Sequence, residues 1–483
     1  IVLQEFMVSS NMAFSMAPLL TQGSIHAINS VADELVTETY LAKLVSGEWT
    51  GTMNLTEPEA GSDVGALRTK AVPNDDGSWA ITGSKIYISW GDHDMAENVI
   101  HLVLARTPDA PPGTKGISCF VVPKIMVNDD GSLGEPNDLK VVSVEHKMGI
   151  NASPTCTMSF GDEGGATGWL LGNEFDGMRV MFVMMNMARL SVGVQGLGLA
   201  ERTLQGALSY ANERVQGKVV GTPKEDRTSP IVGHPDVRRM LLDMRSLTEA
   251  MRGICLMNAV AMDRAGSLAD EDARQAAEDL NELLIPITKA WCTDMGVEVT
   301  SLAIQVYGGM GFVEETGVSQ FFRDARIAPI YEGTNGIQAM DLVGRKLPMR
   351  SGGVVTDTIA DIRATAAALS ADDELAGIGA RLAEATDALD EATQWIFGHA
   401  GEIRDVLAGA TPYLRMWGLV VGGWVLGKSA LAAAEWAADD GPADFCAEKV
   451  RTARWFADQH LSTVVGLTAR ATSGASLMDE ASL

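Results

Sequence analysis

One carboxylate in this chain stands where it could do acid–base chemistry: Glu332, in the run Ile330-Tyr331-Glu332-Gly333-Thr334-Asn335. An aromatic ring precedes it, a glycine follows it, and Thr, Asn and Gly then cap and start a helix. No Lys or Arg falls within the run, so apolar and backbone neighbours should strip water from the carboxylate and raise its pKa towards neutrality. Such a group suits the abstraction of a proton from carbon. The plainer alternative is an acid that complements a helix dipole.

Three further motifs carry groups that could meet a ligand. Leu55-Thr56-Glu57-Pro58-Glu59-Ala60-Gly61-Ser62-Asp63 reads as a loop whose hydroxyls and backbone N–H groups could face a polar ring or a phosphate, or equally as an ordinary Asx/Ser turn. Lys85-Ile86-Tyr87-Ile88-Ser89-Trp90-Gly91 reads as a strand. Its alternation puts Tyr87 and Ser89 on one face, where a ring could stack and hydrogen-bond, although a core strand explains the same pattern. Gln305-Val306-Tyr307-Gly308-Gly309-Met310-Gly311-Phe312 closes a helix with small residues that admit another backbone or a cofactor, or that merely cap it. These glycines lack the strand-then-helix setting of a dinucleotide-binding fingerprint, which excludes a Rossmann reading.

The elements that must position these motifs follow from changes of period. Residues 1 to 47 have helical spacing, with Gly23 and Gly47 as breakers, and residues 49 to 160 read as strands joined by turns such as Asn74-Asp75-Asp76-Gly77-Ser78 and Asn128-Asp129-Asp130-Gly131. The helical period returns from Gly177 to about Glu213, with Gly193, Gly196, Ala200 and Ala207 forming a small-residue stripe suited to close packing. Further helices are predicted over Pro235–Ala265, Ala269–Tyr307 and Ile337–Lys346. Arg350-Ser351-Gly352-Gly353 then reads as a linker into an Ala-rich helical region ending near Arg470.

Composition excludes several classes. The 483 residues exceed a single core, and 46% hydrophobic content is ample for two or three packed units. A net charge of −26 argues against broad binding to nucleic acid or anionic membrane surfaces. The five scattered cysteines contain no CxxC pair, so neither a disulfide framework nor a zinc site is expected, and they read as buried thiols in a reducing, cytoplasmic compartment. The most apolar stretches, Met178–Met187 and Met416–Leu426, are interrupted by polar residues or glycines, so no membrane span is expected. The chain opens at Ile1 inside an apolar pattern, from which an upstream segment is expected.

Taken in order, the four motifs resemble the acyl-CoA dehydrogenase family of flavoproteins, over roughly Trp49 to Leu347. The length and the Ala-rich extension are similar to those of the family's large branch, which includes enzymes of 3-methylmercaptopropionyl-CoA and broad acyl-CoA dehydrogenases. The resemblance implies an α+β, mainly α fold: a partial N-terminal helical domain at 1–48, a β-barrel-like middle domain at 49–162, a helical bundle carrying the base at 163–347 and an additional helical domain at 354–483.

It also implies an FAD-dependent α,β-dehydrogenation of an acyl-CoA thioester to a trans-2-enoyl-CoA. In that reaction Glu332 matches the base that removes the α-proton. Thr56, Ser62, Tyr87, Ser89, Arg214 and Thr334 match FAD-binding positions. The Gln305 to Gly309 segment, through Gln305, Gly308 and Gly309, resembles the piece that reaches a neighbouring subunit's FAD, so a homodimer or homotetramer is implied. Ser62, Asn186, Arg189, Tyr331 and Gly333 match substrate positions, with Arg189 also explicable as packing. Some relatives carry the base on the long helix, where this chain has Ala188. Electron-transfer flavoprotein is the implied electron acceptor.

Four departures stand out from the family pattern. Arg214-Val215-Gln216-Gly217 shortens the usual motif after the long helix and lacks its aromatic residue, Glu59 replaces a common Gly, Gly336 a common Gln, and Tyr87 a frequent Trp. Two other functions fit the same fold. An acyl-CoA oxidase differs in oxygen access rather than in its base. A DNA-associated, non-metabolic flavoprotein relies on a basic C-terminal domain, whereas residues 350–483 here carry 19 acidic against 10 basic residues.

Overall fold

The computed structural model describes residues 1–221 and 229–482. Leu483, the last residue of the expected C-terminal extension, lies outside them. The chain forms two compact units, Asn11–Ala188 and a second made of Ile1–Ser10 with Arg189 onwards.

In the first unit, helix α1 (Val2–Val31) enters after a break at Asn11, whose φ of −160° and ψ of 92° are not helical. Gly23 does not break the helix as expected. It lies inside α1 because a Cβ there would come within 2.7 Å of Met184 Cγ, so close packing is what requires glycine. Gly47 does terminate a helix: at φ +80° it takes the left-handed cap position and donates to Leu44 O.

Strands β1 (Trp49–Asn54), β2 (Lys70–Pro73), β3 (Trp79–Ser89), β4 (Asn98–Ala105), β5 (Ser118–Pro123), β6 (Ile125–Val127), β7 (Leu133–Pro136), β8 (Leu139–Val144), β9 (Thr155–Phe160) and β10 (Ala166–Leu170) follow. An eight-stranded mixed sheet runs β1-β4-β5-β10-β3-β9-β8, with β2 added to β3, and β6 pairs with β7 separately. β1 lies parallel to β4, and the other pairings are antiparallel. The sheet takes its last strand from beyond the 162 boundary drawn from sequence. β4 and β5 are buried along their whole length, and Ile81, Val103, Phe120, Met158 and Phe160 form the core between them and their neighbours. The turn read at Asn74–Ser78 forms for the expected reason: Asp76 Oδ1 accepts from Ser78 N at 2.9 Å.

The long helix α2 is Gly177–Glu213, as its period predicts. From Arg189 it belongs to the second unit, with α3 (Pro235–Ser267), α4 (Glu271–Tyr307), α5 (Val318–Ala325) and α6 (Asn335–Asp341), which continues as a π-turn over Leu342–Lys346. The 350–353 linker is tight: Arg350 and Ser351 both adopt positive φ, 47° and 57°. Helices α7 (Gly353–Ser370), α8 (Ala376–Gly398), α9 (Ile403–Asp439), α10 (Ala443–Gln459) and α11 (Val464–Thr472) follow, with a last short helix at Ser476–Glu480. One continuous core joins this extension to the bundle, with Trp291 of α4 and Trp417 and Tyr413 of α9 fully buried in it.

By length and composition α2 and α9 could each cross a membrane, but 72% and 78% of their apolar windows are buried within the protein. The stripe on α2 explains part of that burial. A Cβ at Gly196 would sit 2.2 Å from Cys292 O, and one at Gly296 2.7 Å from Gly196 Cα, so α2 and α4 meet backbone to backbone. Gly196→Ala must therefore push two helices apart, and it should cost about 1–3 kcal/mol, read as a lower midpoint in denaturant with an unchanged slope.

Candidate active site

The loop between α5 and α6 holds Glu332 in an unfavourable backbone conformation. Its φ is +56°, left-handed for a residue with a Cβ, and Gly333 follows at +81°. Such a conformation costs about 1–3 kcal/mol and persists only where surrounding contacts impose it.

Those contacts are identifiable. Thr334 caps α6 by accepting from Ile337 N. Asn335 N donates to Pro329 O at 3.0 Å, closing the loop on itself. The fully buried Gln338 donates from Nε2 to both Glu332 O and Gly333 O at 3.3 Å. Tyr331 gives its hydroxyl proton to Gln195 Oε1 on α2. Asn335 Nδ2 reaches α4 at Ala290 O (3.1 Å), Thr293 Oγ1 (3.0 Å) and Asp294 Oδ1 (2.7 Å).

Glu332 is half-buried, and loss of hydration raises its carboxyl to about 7, with Arg189 and Lys289 pulling in the opposite direction. The direction agrees with the sequence reading. The surroundings do not, because two cations remote in sequence are brought to a carboxylate that its own run leaves isolated. Lys289, on α4, is fully buried and donates to Asn335 Oδ1 at 2.9 Å; burial lowers it to about 7, against the pull of Glu332 and Asp294. Arg189, on α2, is 4% exposed and faces Asp341 across 3.6 Å, while Arg345 binds the other oxygen of Asp341 at 2.5 Å. The guanidinium is thus embedded beneath the loop, with its Nη2 3.8 Å from where a Cβ on Gly333 would stand.

In the first unit, the Thr56 loop and the Tyr87 strand come together. Ile86 N donates to Thr56 O at 2.9 Å, and a buried ion pair fastens them: Lys85 Nζ meets Glu57 Oε1 at 2.8 Å and Leu55 O at 3.1 Å. Glu57 also accepts from Arg68 N, Thr69 N and Thr69 Oγ1. Burial alone would raise its carboxyl, but Lys85 and these donors together hold it below the usual range. Lys85 itself is lowered by burial to about 8.

The expected alternation of Tyr87 and Ser89 is interrupted. The register of β3 against β9 shifts between Lys85 and Ile88, and Tyr87 and Trp90 take positive φ. The bulge re-aims Tyr87, which is 62% exposed, while Ser89 is half-buried. Thr56 is half-buried and Ser62 exposed. An exposed aromatic ring held on a costly backbone beside a hydroxyl-bearing loop is consistent with a planar cofactor.

Asn186 is half-buried on the part of α2 belonging to the first unit, and Arg214 is exposed just past that helix. Gln305, Gly308 and Gly309 are exposed; Gly308 caps α4 at φ +62° and leads into a 3-10 turn.

Family models match three stretches: acyl-CoA dehydrogenase, middle domain, over residues 52–162; acyl-CoA dehydrogenase, C-terminal domain, over 176–347; and acetyl-CoA dehydrogenase C-terminal like, over 358–480. The chain is 48% identical to a 3-methylmercaptopropionyl-CoA dehydrogenase of Ruegeria pomeroyi over 95% of its own length and 77% of that protein's. The chain belongs to the acyl-CoA dehydrogenase family. It is also 42% identical to a butyryl-CoA dehydrogenase of Syntrophomonas wolfei over 74% of its length and 60% of that protein's. In fold it resembles an acyl-CoA dehydrogenase of Bacillus anthracis solved with FAD, with a TM-score of 0.76 and 21% identity over 97% of this chain and 76% of that one. As a member of this family it is an FAD-dependent oxidoreductase that dehydrogenates acyl-CoA.

Sequence reasoning missed the residues that support Glu332 and Thr56. A signal existed for the lysines: Lys289 sits in Leu283-Leu284-Ile285-Pro286-Ile287-Thr288-Lys289-Ala290-Trp291, where a charge must be buried and therefore partnered. Lys85→Met would leave Glu57 as an uncompensated buried carboxylate and should cost about 3–5 kcal/mol, seen as a large fall in Tm, whereas the double change Lys85→Met with Glu57→Gln should recover part of the loss.

Proposed function

We propose that the chain oxidises a short acyl-CoA to its trans-2-enoyl-CoA with Glu332 as the base. The observation that carries this reading is a carboxylate raised to about 7 by burial, held at positive φ by contacts from α2, α4 and α6. A carboxylate so poised is a stronger base than one in water, while about half of it remains ionised at neutral pH. FAD, when bound, supplies the acceptor for the hydrogen that leaves the β-carbon with its electron pair. Glu332 takes the α-proton on a carboxylate oxygen, and its backbone N–H donates to the thioester oxygen as negative charge develops there.

Thr56, Ser62, Tyr87 and Ser89 are the groups that hold the flavin ring and its chain, with Tyr87 presenting its exposed ring for stacking. Arg214 and Thr334 serve the FAD phosphates. The exposed Gln305–Gly309 segment extends to the FAD of a second copy, which makes the enzyme a homo-oligomer. Asn186, Ser62, Tyr331 and Gly333 position the substrate. Arg189 acts from beneath the loop on the charge of the base. The relatives at 48% and 42% identity carry the names of 3-methylmercaptopropionyl- and butyryl-CoA enzymes, which favours an acyl chain of about that length. In this reading electron-transfer flavoprotein is the acceptor and the cytoplasm the setting.

Glu332→Gln should keep bound FAD and yet lower the anaerobic rate of flavin bleaching by butyryl- or 3-methylmercaptopropionyl-CoA by at least about a hundredfold. Near-normal bleaching by that variant would remove Glu332 from the role of base. Because the base acts ionised, the bleaching rate of the unaltered enzyme should rise with pH and reach half its plateau near pH 7; stopped-flow absorbance between pH 5.5 and 9 measures it.

A further inference from the structure

Lys289 is a buried charge to which the reaction as proposed gives no task. Among the described residues the other fully buried lysine, Lys85, touches a carboxylate, Glu57, at 2.8 Å, and Arg189 faces Asp341. The ammonium of Lys289 instead donates to a neutral amide, Asn335 Oδ1. Burying an ammonium against an amide is costly unless its field stabilises something else. The opposite charges it feels are Glu332, across the loop, and Asp294, on its own helix.

Asn335 makes this arrangement specific. It stands three residues beyond Glu332, and its amide oxygen takes Lys289 while its amide nitrogen takes Ala290 O, Thr293 Oγ1 and Asp294 Oδ1. One side chain therefore fixes both the loop and the ammonium to the same turn of α4. The charged groups acting on Glu332 come from two helices: Arg189 on α2, itself opposed by Asp341 and accompanied by Arg345, and Lys289 on α4, itself opposed by Asp294. Arg189, although it faces Asp341 at 3.6 Å, is the stronger of the two cations acting on Glu332. Lys289, whose ammonium donates to a neutral amide rather than to a carboxylate, adds a second positive charge from α4.

We propose that Lys289 is a positioning residue for the reaction: anchored to Asn335, it places a positive charge within Coulomb reach of Glu332 and keeps that base ionised at neutral pH. This rests on Glu332 being the base. Without the ammonium, burial acts on the carboxyl with less opposition, and Glu332 holds its proton to higher pH.

The test uses the FAD-loaded full chain of the unaltered protein, Lys289→Met, Lys289→Arg and Lys289→Gln, with bleaching by butyryl-CoA followed across pH. Lys289→Met should move the half-plateau point up by about one unit, a loss of several-fold near pH 7 that is recovered above pH 9. Lys289→Arg, which retains the charge, should leave that point in place. Lys289→Gln, which removes the charge while keeping a donor for Asn335 Oδ1, should move it up as Lys289→Met does, and it decides the matter if Lys289→Met does not fold. A readout without cofactor is the infrared carboxyl titration of Glu332 in the FAD-free chain, taken as a difference against Glu332→Gln; Lys289→Met should shift it upward too. A rate lowered equally at every pH, with the half-plateau point unmoved, would overturn the proposal and leave Lys289 a packing residue. Bleaching that survives Glu332→Gln would instead overturn the assignment of the base itself.

Discussion

A carboxylate that is to take a proton from carbon must meet two opposed conditions: it must lose water to become a stronger base, and it must remain ionised to be a base at all. The architecture around Glu332 answers both. The loop withdraws the carboxyl from solvent, while Arg189 and Lys289 restrain the resulting rise of its pKa. Neither cation can approach freely, because each needs burial and a partner of its own. Hence Asp341 beside Arg189, Arg345 beside Asp341, and Asn335 beside Lys289. The local network is the consequence of placing one dehydrated charge on a left-handed backbone.

The same logic governs the other cluster. The Thr56 loop carries no regular secondary structure at Thr56, so something must give it a fixed place on the sheet. Glu57 does so by gathering Lys85, Arg68 N, Thr69 N and Thr69 Oγ1 around one carboxylate. A buried ion pair is a weak source of stability but a strict one of geometry, since losing either partner leaves an unpaired charge. The bulge that follows Lys85 then turns Tyr87 outward.

What the sequence disclosed was local. The 3.6-residue period located α2 from Gly177 to about Glu213, the Asx turn at Asn74–Ser78 formed through its own side chain, and the dehydration of Glu332 followed from its immediate neighbours. What it concealed was long-range. Nothing near position 332 announces Lys289 or Arg189, and the alternation through Lys85–Ser89 gives no warning of a bulge set by pairing with β9. Gly23 shows the same limit, for a glycine that breaks a helix and one that admits Met184 read alike until the neighbour is placed.

The C-terminal extension illustrates how far such support reaches. A Cβ at Gly418 of α9 would fall 2.1 Å from Trp291 Cγ, so that helix closes on α4 as tightly as glycine permits. Trp291 lies two residues beyond Lys289, and Asn335 grips Ala290, Thr293 and Asp294 in the same stretch. Interiors packed at this density transmit displacement rather than absorb it. The turn of α4 that carries the ammonium is therefore clasped by α9 through Trp291 and by the Glu332 loop through Asn335. The extension is thus part of the core that fixes the charge at the base, and an acyl-CoA dehydrogenase bundle without it would have to hold α4 by other contacts.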